Sequence, residues 1–264
     1  MTDETHSAHL VGTGRIFDGT SYWNFWNVWS NIHKNLSASS SYLIYSAHNL
    51  PVHNRWFPNG KIISLPFKHP NEFIVRYESP PLREKIFHFS SKCIANLKKK
   101  ANYNQPKESR PRQGLNESHL FKLYVHLFGD AVTASTKVGE LVEHDLGWVA
   151  NLVHESVVNH TNESVLDFYK EWMKDPFVYK HATLYDVNSI TFENSPRFDM
   201  YGNVFGIGKP VAVRNGGGNK SVGVVNAFPG CEGNGSVDLE ICLPFHSMNV
   251  FESDEELIAA LLIP

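Results

Sequence analysis

A chain of 264 residues, 42% hydrophobic and 19% charged, has the length and apolar content of one large globular domain or two modest ones. Its net charge of -3 and pI near 6.5 leave no electrostatic reason to expect nucleic acid or an anionic membrane as partner. Three scattered cysteines, Cys93, Cys231 and Cys242, show neither Cys-x-x-Cys nor Cys/His spacing, so no metal is expected and the thiols read as buried or idle in a reducing compartment.

The first residues, "MTDETHSAHLVGTGRIF", carry early acids and no apolar run of signal-peptide length, and no later segment approaches a bilayer span. A cytoplasmic protein without membrane contact is the expectation. From Asp18 to His33, "DGTSYWNFWNVWSNIH" places a turn pair before Thr20 or Ser21 as N-cap, then Tyr22, Phe25, Trp26 and Trp29 at helical spacing. Core packing accounts for such an aromatic stripe, with ligand stacking as the alternative. Residues 36–79 hold Pro51, Pro58, Pro66 and Pro70 with a serine-rich run and little periodicity, and read as a connecting segment.

A helix is expected to start at Ser90 or Ser91, with Ile94 and Leu97 inward. Its Lys98-Lys99-Lys100 run suits a solvated helix end, where positive charge complements the dipole; a phosphate contact is the sharper alternative. The polar stretch "NQPKESRPRQGLNESH" reads as a loop. Next, "VGELVEHDLGWVANLVHESVVNH" sets Val142, Leu146, Val149, Leu152 and Val153 on one helical face, and Asn162 is the expected cap of a further helix ending near Asp175-Pro176.

In the last third, "PVAVR", "SVGVVNAFP" and "SVDLEICL" are runs rich in β-branched residues separated by glycine turns, which predicts an antiparallel meander. Residues Ser253 to Glu256 read as a capping box opening a final helix. The glycines of "FGIGKP" lack Walker spacing and precede a strand-like run, where a phosphate loop needs a helix N-terminus. A Gly-x-Ser-x-Gly elbow is missing too.

Several separated segments nevertheless resemble one family in order. "SPRFDMYGNVFGIGKPVAVR", "AFPGCEGNGSVDLEICL" and "ESDEELIAAL" look like the C-terminal part of a BAHD, or HxxxD-type, acyl-CoA-dependent acyltransferase. "FDGTSYWNFWNVWS" resembles the end of the HxxxD motif with the segment after it, and "VGELVEHDLGWVANLVHESVVNHT" resembles the family's mid-chain helix. The resemblance implies an α/β fold of two similar domains, each a mixed sheet with helices, around a channel that admits acyl-CoA from one side and the acceptor from the other. It also implies that the motif histidine takes a proton from the acceptor hydroxyl or amine as that atom attacks the thioester. Imidazole suits this work because its pKa lies near neutrality, and the oxyanion needs a fixed donor nearby.

On this resemblance Asp18 and Gly19 occupy the family's Asp and Gly, so the general base belongs four residues before Asp18, where the chain has Gly14. His9 is a substitute only if the chain bulges or reverses, since five extended residues span roughly 17 Å. The second family motif, DFGWG, reads Val204-Phe205-Gly206-Ile207-Gly208: Phe205, Gly206 and Gly208 are kept as structural residues, the acid is lost, and Ile207 is expected to pack in place of the tryptophan. Arg197 and Arg214 lie near in sequence without an assignable partner.

The resemblance implies a truncated, internally shortened member whose first domain is largely missing. Residues 1–40 would be a remnant of the N-terminal domain, 41–85 the inter-domain crossover, and 86–264 the C-terminal domain with a deletion near 103–128. The aromatic face from Tyr22 to Trp29 should then be left without its sheet. Two function classes follow. One is transfer of an acyl group from acyl-CoA to a small alcohol or amine of specialised metabolism. The other is a catalytically inactive remnant that associates with an intact homologue or has no activity.

Overall fold

The computed structural model describes residues 19–37, 66–72, 80–102, 120–127, 130–177, 189–217 and 220–263. Helix α1 (Gly19–Ser37) already starts at Gly19, so Thr20 and Ser21, the expected caps, lie inside its first turn. Its aromatic stripe packs largely on itself: Trp26 stacks on Trp29 at 5.0 Å and meets Phe25 edge-on at 5.3 Å. Only Trp26 becomes buried, while Phe25 stays 49% and Trp29 44% exposed. The stripe is therefore half a core and half an open face.

After a 3₁₀ turn at Pro70–Glu72, strand β1 (Leu82–Phe89) leads into α2 (Ser91–Ala101). Of the two candidate serines Ser90 is the cap, its hydroxyl accepting from the Cys93 N–H at 3.1 Å. The lysine run fills the last turn of α2, as the dipole argument requires. Strand β2 (Leu120–Leu127) lies in the 103–128 stretch read as an internal deletion, directly after the polar run read as a loop. Its signal is the period-2 pattern of Phe121, Leu123, Val125 and Leu127, hidden by the polar residues before it.

Strand β3 (Asp130–Lys137) runs into α3 (Val138–Glu143), and α4 (Leu146–Val158) follows after a break. The single helix expected here is thus two. Asp145 causes the break by accepting from the Trp148 N–H at 2.8 Å, and such a cap starts a new helix. Helix α5 (Asn162–Lys174) is capped by Thr161, one residue before the expected Asn162. Strands β4 (Ser189–Glu193), β5 (Val224–Pro229) and β6 (Val237–Pro244) precede α6 (Phe245–Glu252) and α7 (Glu255–Leu261). Asp254, not Ser253, caps α7, accepting from Leu257 N at 2.9 Å.

The strands form one mixed sheet in the order β1-β6-β5-β4-β2-β3. β6 is antiparallel to both β1 and β5, as the meander reading requires, but β4 runs parallel to β5 and to β2. "PVAVR" is no strand: Val211 is 89% exposed, and β-branched residues without a partner ladder stay in a loop. On one face of the sheet Phe87, Phe89, Val225 and Ile241 pack with Cys93 of α2 and Met248 of α6, flanked by Leu257 and Leu261 of α7. Strand alternation sends Thr191, Asn226, Asp238, Glu240 and His88 to the other face.

Gly223 joins the two central strands. Its φ is +75°, and a Cβ there would lie 2.1 Å from the Ser189 carbonyl oxygen. The backbone cannot yield, because Gly223 accepts from Thr191 N and donates to Cys242 O, each at 2.9 Å. Gly223→Ala combines a left-handed penalty with overpacking and is expected to cost about 2–4 kcal/mol. A lower urea midpoint at constant m would show it; an unchanged midpoint would refute this account of the glycine.

Candidate functional site

Two segments far apart in sequence meet at the two ends of α1. At its start, a Cβ on Gly19 would stand 2.8 Å from Phe198 Cζ, so the helix approaches this ring only because position 19 lacks a side chain. Near its other end, His33 Nδ1 donates to the Phe205 carbonyl at 2.7 Å, and Trp29 meets the Phe205 ring edge-on at 5.8 Å. The loop from Phe198 to Gly208 is thereby clipped along α1. Phe205 itself has φ +47°, unusual for a residue with a Cβ, followed by Gly206 at +80° and Gly208 at +119°. Such a turn needs glycine at the last two positions. Ile207 is 66% exposed, so the expectation that it packs in a tryptophan's place fails: the left-handed turn points it outward.

His9, Gly14 and Asp18 lie outside the described residues. Gly19 is the first residue of α1, and Phe205, Gly206 and Gly208 form the turn against its far end. Among the described residues no group of three His, Cys, Asp or Glu side chains is placed to hold a metal ion.

Residues on either side of this loop reach the polar face of the sheet. Asn194 and Asn215 donate their side-chain amides to Asn226 Oδ1 at 3.2 and 2.8 Å, and Asn226 is fully buried. Arg214 Nη2 bonds Asp238 Oδ2 at 2.9 Å, which supplies the partner that sequence could not assign. Asp238 also takes His88 Nδ1 at 2.6 Å, while His88 Nε2 faces Glu232 at 3.0 Å. Next to them Lys220 bonds the buried Glu240, and reaches Glu84 at 2.7 Å.

Burial by itself would depress the Lys220 ammonium, but its bonds to Glu240 and Glu84 outweigh that and hold its pKa above the ordinary value. Burial pushes the Cys242 thiol up to about 11, which makes it inert near neutrality. It also raises Tyr201, with Asp238 adding to the effect. These charges answer one another across the sheet, so their visible work is to hold the chain against this face. No sequence signal marked Asp238, Glu240 or Lys220. Acids alternating with apolar residues in "VDLEICL" read as the wet side of a strand.

The family model described as "Transferase family" matches residues 126–258, half of the chain. The chain belongs to the BAHD acyltransferase family. Two Arabidopsis thaliana relatives agree with the match. The uncharacterized acetyltransferase At3g50280 is 28% identical over 91% of this chain and 62% of its own length, and BAHD acyltransferase DCR is 26% identical over 92% and 58%. The chain thus spans about three-fifths of the length of these curated relatives.

Among solved structures, F. graminearum TRI101 complexed with coenzyme A and T-2 mycotoxin superposes with a TM-score of 0.62 at 14% identity, over 89% of this chain and 63% of that one. Vinorine synthase superposes at 0.54 and 13% identity, over 92% and 60%. Both share the mixed α/β architecture with this family member, and the expected fold class stands on that agreement.

Proposed function

We propose that this chain is an acyltransferase of the HxxxD type, moving an acyl group from acyl-CoA to a hydroxyl or amine of a specialised metabolite, and that it does so slowly. The observation that carries the reading is the docking of α1 against the Phe198–Gly208 loop, because these are the segments that resemble the two family motifs. The TRI101 structures complexed with coenzyme A support acyl-CoA as co-substrate. Residues 1–40 are read as the remnant of the first domain, 41–85 as the crossover and 86–264 as the second domain, in a cytoplasmic protein.

In this reading Gly19 admits the helix against Phe198, and the loop beyond it keeps the structural role that the resemblance gives it. No side chain at position 14 can take the acceptor's proton. Positioning of the thioester and acceptor then remains as the source of rate. A second reading, an inactive remnant that associates with an intact homologue or has no activity, is favoured by Gly14 and by the reading of the first domain as largely missing.

Free CoA release can be followed with a thiol reagent across a panel of acyl-CoA donors and alcohol or amine acceptors. Slow release that needs the acceptor and survives His9→Ala is the expected result. If His9→Ala abolishes release, His9 is the substitute base. No release above background, from protein that melts cooperatively, would overturn the transferase reading in favour of the second.

A further inference from the structure

We propose that Asn234 is a site of spontaneous deamidation, and that the fold directs the reaction there and away from Asn215. Both asparagines precede a glycine, the neighbour whose backbone nitrogen is least hindered because it carries no side chain. A further pair of this kind, Asn59-Gly60, lies outside the described residues.

Asn234 and Gly235 are the central residues of the turn that leads into β6. Their φ angles are +55° and +85°, and Ser236 N donates to the Gly233 carbonyl at 3.1 Å, which closes the turn. Left-handed angles at both central positions are those of a type I′ turn, whose closing bond does not use the nitrogen of its second central residue. Among the described residues no backbone acceptor is placed for the Gly235 N–H. Residues 231–235 are all exposed, and a Cβ on Gly233 or Gly235 would meet nothing within 4 Å. The tip therefore has room to rotate and bring the Asn234 amide carbon over that nitrogen.

Asn215 presents the same pair in another setting. Its side-chain amide donates to Oδ1 of the fully buried Asn226 at 2.8 Å, an acceptor it shares with Asn194. The amide must release this bond before its carbon can be attacked, which adds the worth of an intramolecular hydrogen bond to the barrier.

The reaction needs no reagent but water. The Gly235 nitrogen bonds to Asn234 Cγ and gives up its proton; the bond from Cγ to the side-chain nitrogen breaks, and that nitrogen leaves with the proton as ammonia. Water then opens the cyclic imide. Attack at the side-chain carbonyl gives aspartate, and attack at the backbone carbonyl gives isoaspartate. Either product places a new carboxylate two residues from Glu232, which already answers His88 and Ser236. Isoaspartate also adds a backbone carbon to the link between β5 and β6.

Incubating the folded chain in mildly alkaline buffer and digesting it with trypsin tests this, because cleavage after Arg214 and Lys220 puts the two asparagines on separate peptides. Fragment sequencing by mass spectrometry places the new acid. Asn234 should convert at least about fivefold faster than Asn215, the factor set by one such hydrogen bond, with isoaspartate among the products. In urea, where neither the turn nor the contact to Asn226 persists, the two rates should converge. An Asn234 that stays intact in the folded chain, or an Asn215 that reacts as fast, would overturn the proposal. So would a preference that is unchanged in urea, since flanking residues and not the fold would then set it.

Discussion

Gly14→His is expected to raise acceptor-dependent CoA release by about 10²–10⁴-fold, the span over which a positioned general base acts. On the proposed reading Asp18 and Gly19 are the motif's Asp and Gly, so a histidine at position 14 gives the motif its four-residue spacing. An imidazole there is largely unprotonated near neutrality, so it can accept the acceptor's proton as the new bond forms and return it to the departing thiolate. The gain should fall on kcat with KM little changed, since the base touches the reacting atom and not the body of either substrate. Gly14→Gln, similar in size but unable to take the proton, should stay at the wild-type rate. Should Gly14→His remain at that rate while melting normally, a missing base is not what limits this chain.

Lys220→Met is expected to destabilise the fold by about 3–5 kcal/mol, because it strands a buried carboxylate. Glu240 is 1% exposed; among the described residues its Oε2 has no hydrogen-bond partner, and Oε1 relies on Lys220. Removing the cation leaves a charge that neither water nor another group can answer. The double variant Lys220→Met/Glu240→Met removes both charges and should recover most of the loss. Urea unfolding of the two variants decides this: equal losses would mean that the pair is not coupled.

The raised pKa of Lys220 gives the sign of the pH dependence. Its contribution is complete below the unfolded lysine value of about 10.4 and is lost as pH rises through the higher folded value. The gap between wild type and Lys220→Met should therefore stay constant near neutrality and close only in strong alkali.

Much of the chain's local structure was legible in its residues. Ser90 announces α2, and the β-branched runs announce β5 and β6, because caps and period-2 patterns act within a few residues. The misreadings share a cause. Asp145 splits an apparently continuous helix, and "PVAVR" never becomes a strand, since a cap inside a periodic run and the lack of a partner ladder leave no mark in hydrophobic pattern. β2 was masked by its polar approach, and the parallel pairing of β4 with β5 and β2 is a long-range choice.

Residue identity and short spacing alone carried the resemblance to the family, the reading of Gly14 at its base position, and which segments could be helix or strand. Only the tertiary structure decided that α1 is clipped by its Gly19 and His33 ends to the Phe198–Gly208 loop, that Arg214 answers Asp238, and that Ile207 faces solvent. Each of these joins residues far apart in the chain or depends on the sign of one φ angle. Distance across a folded sheet is not encoded in any local pattern.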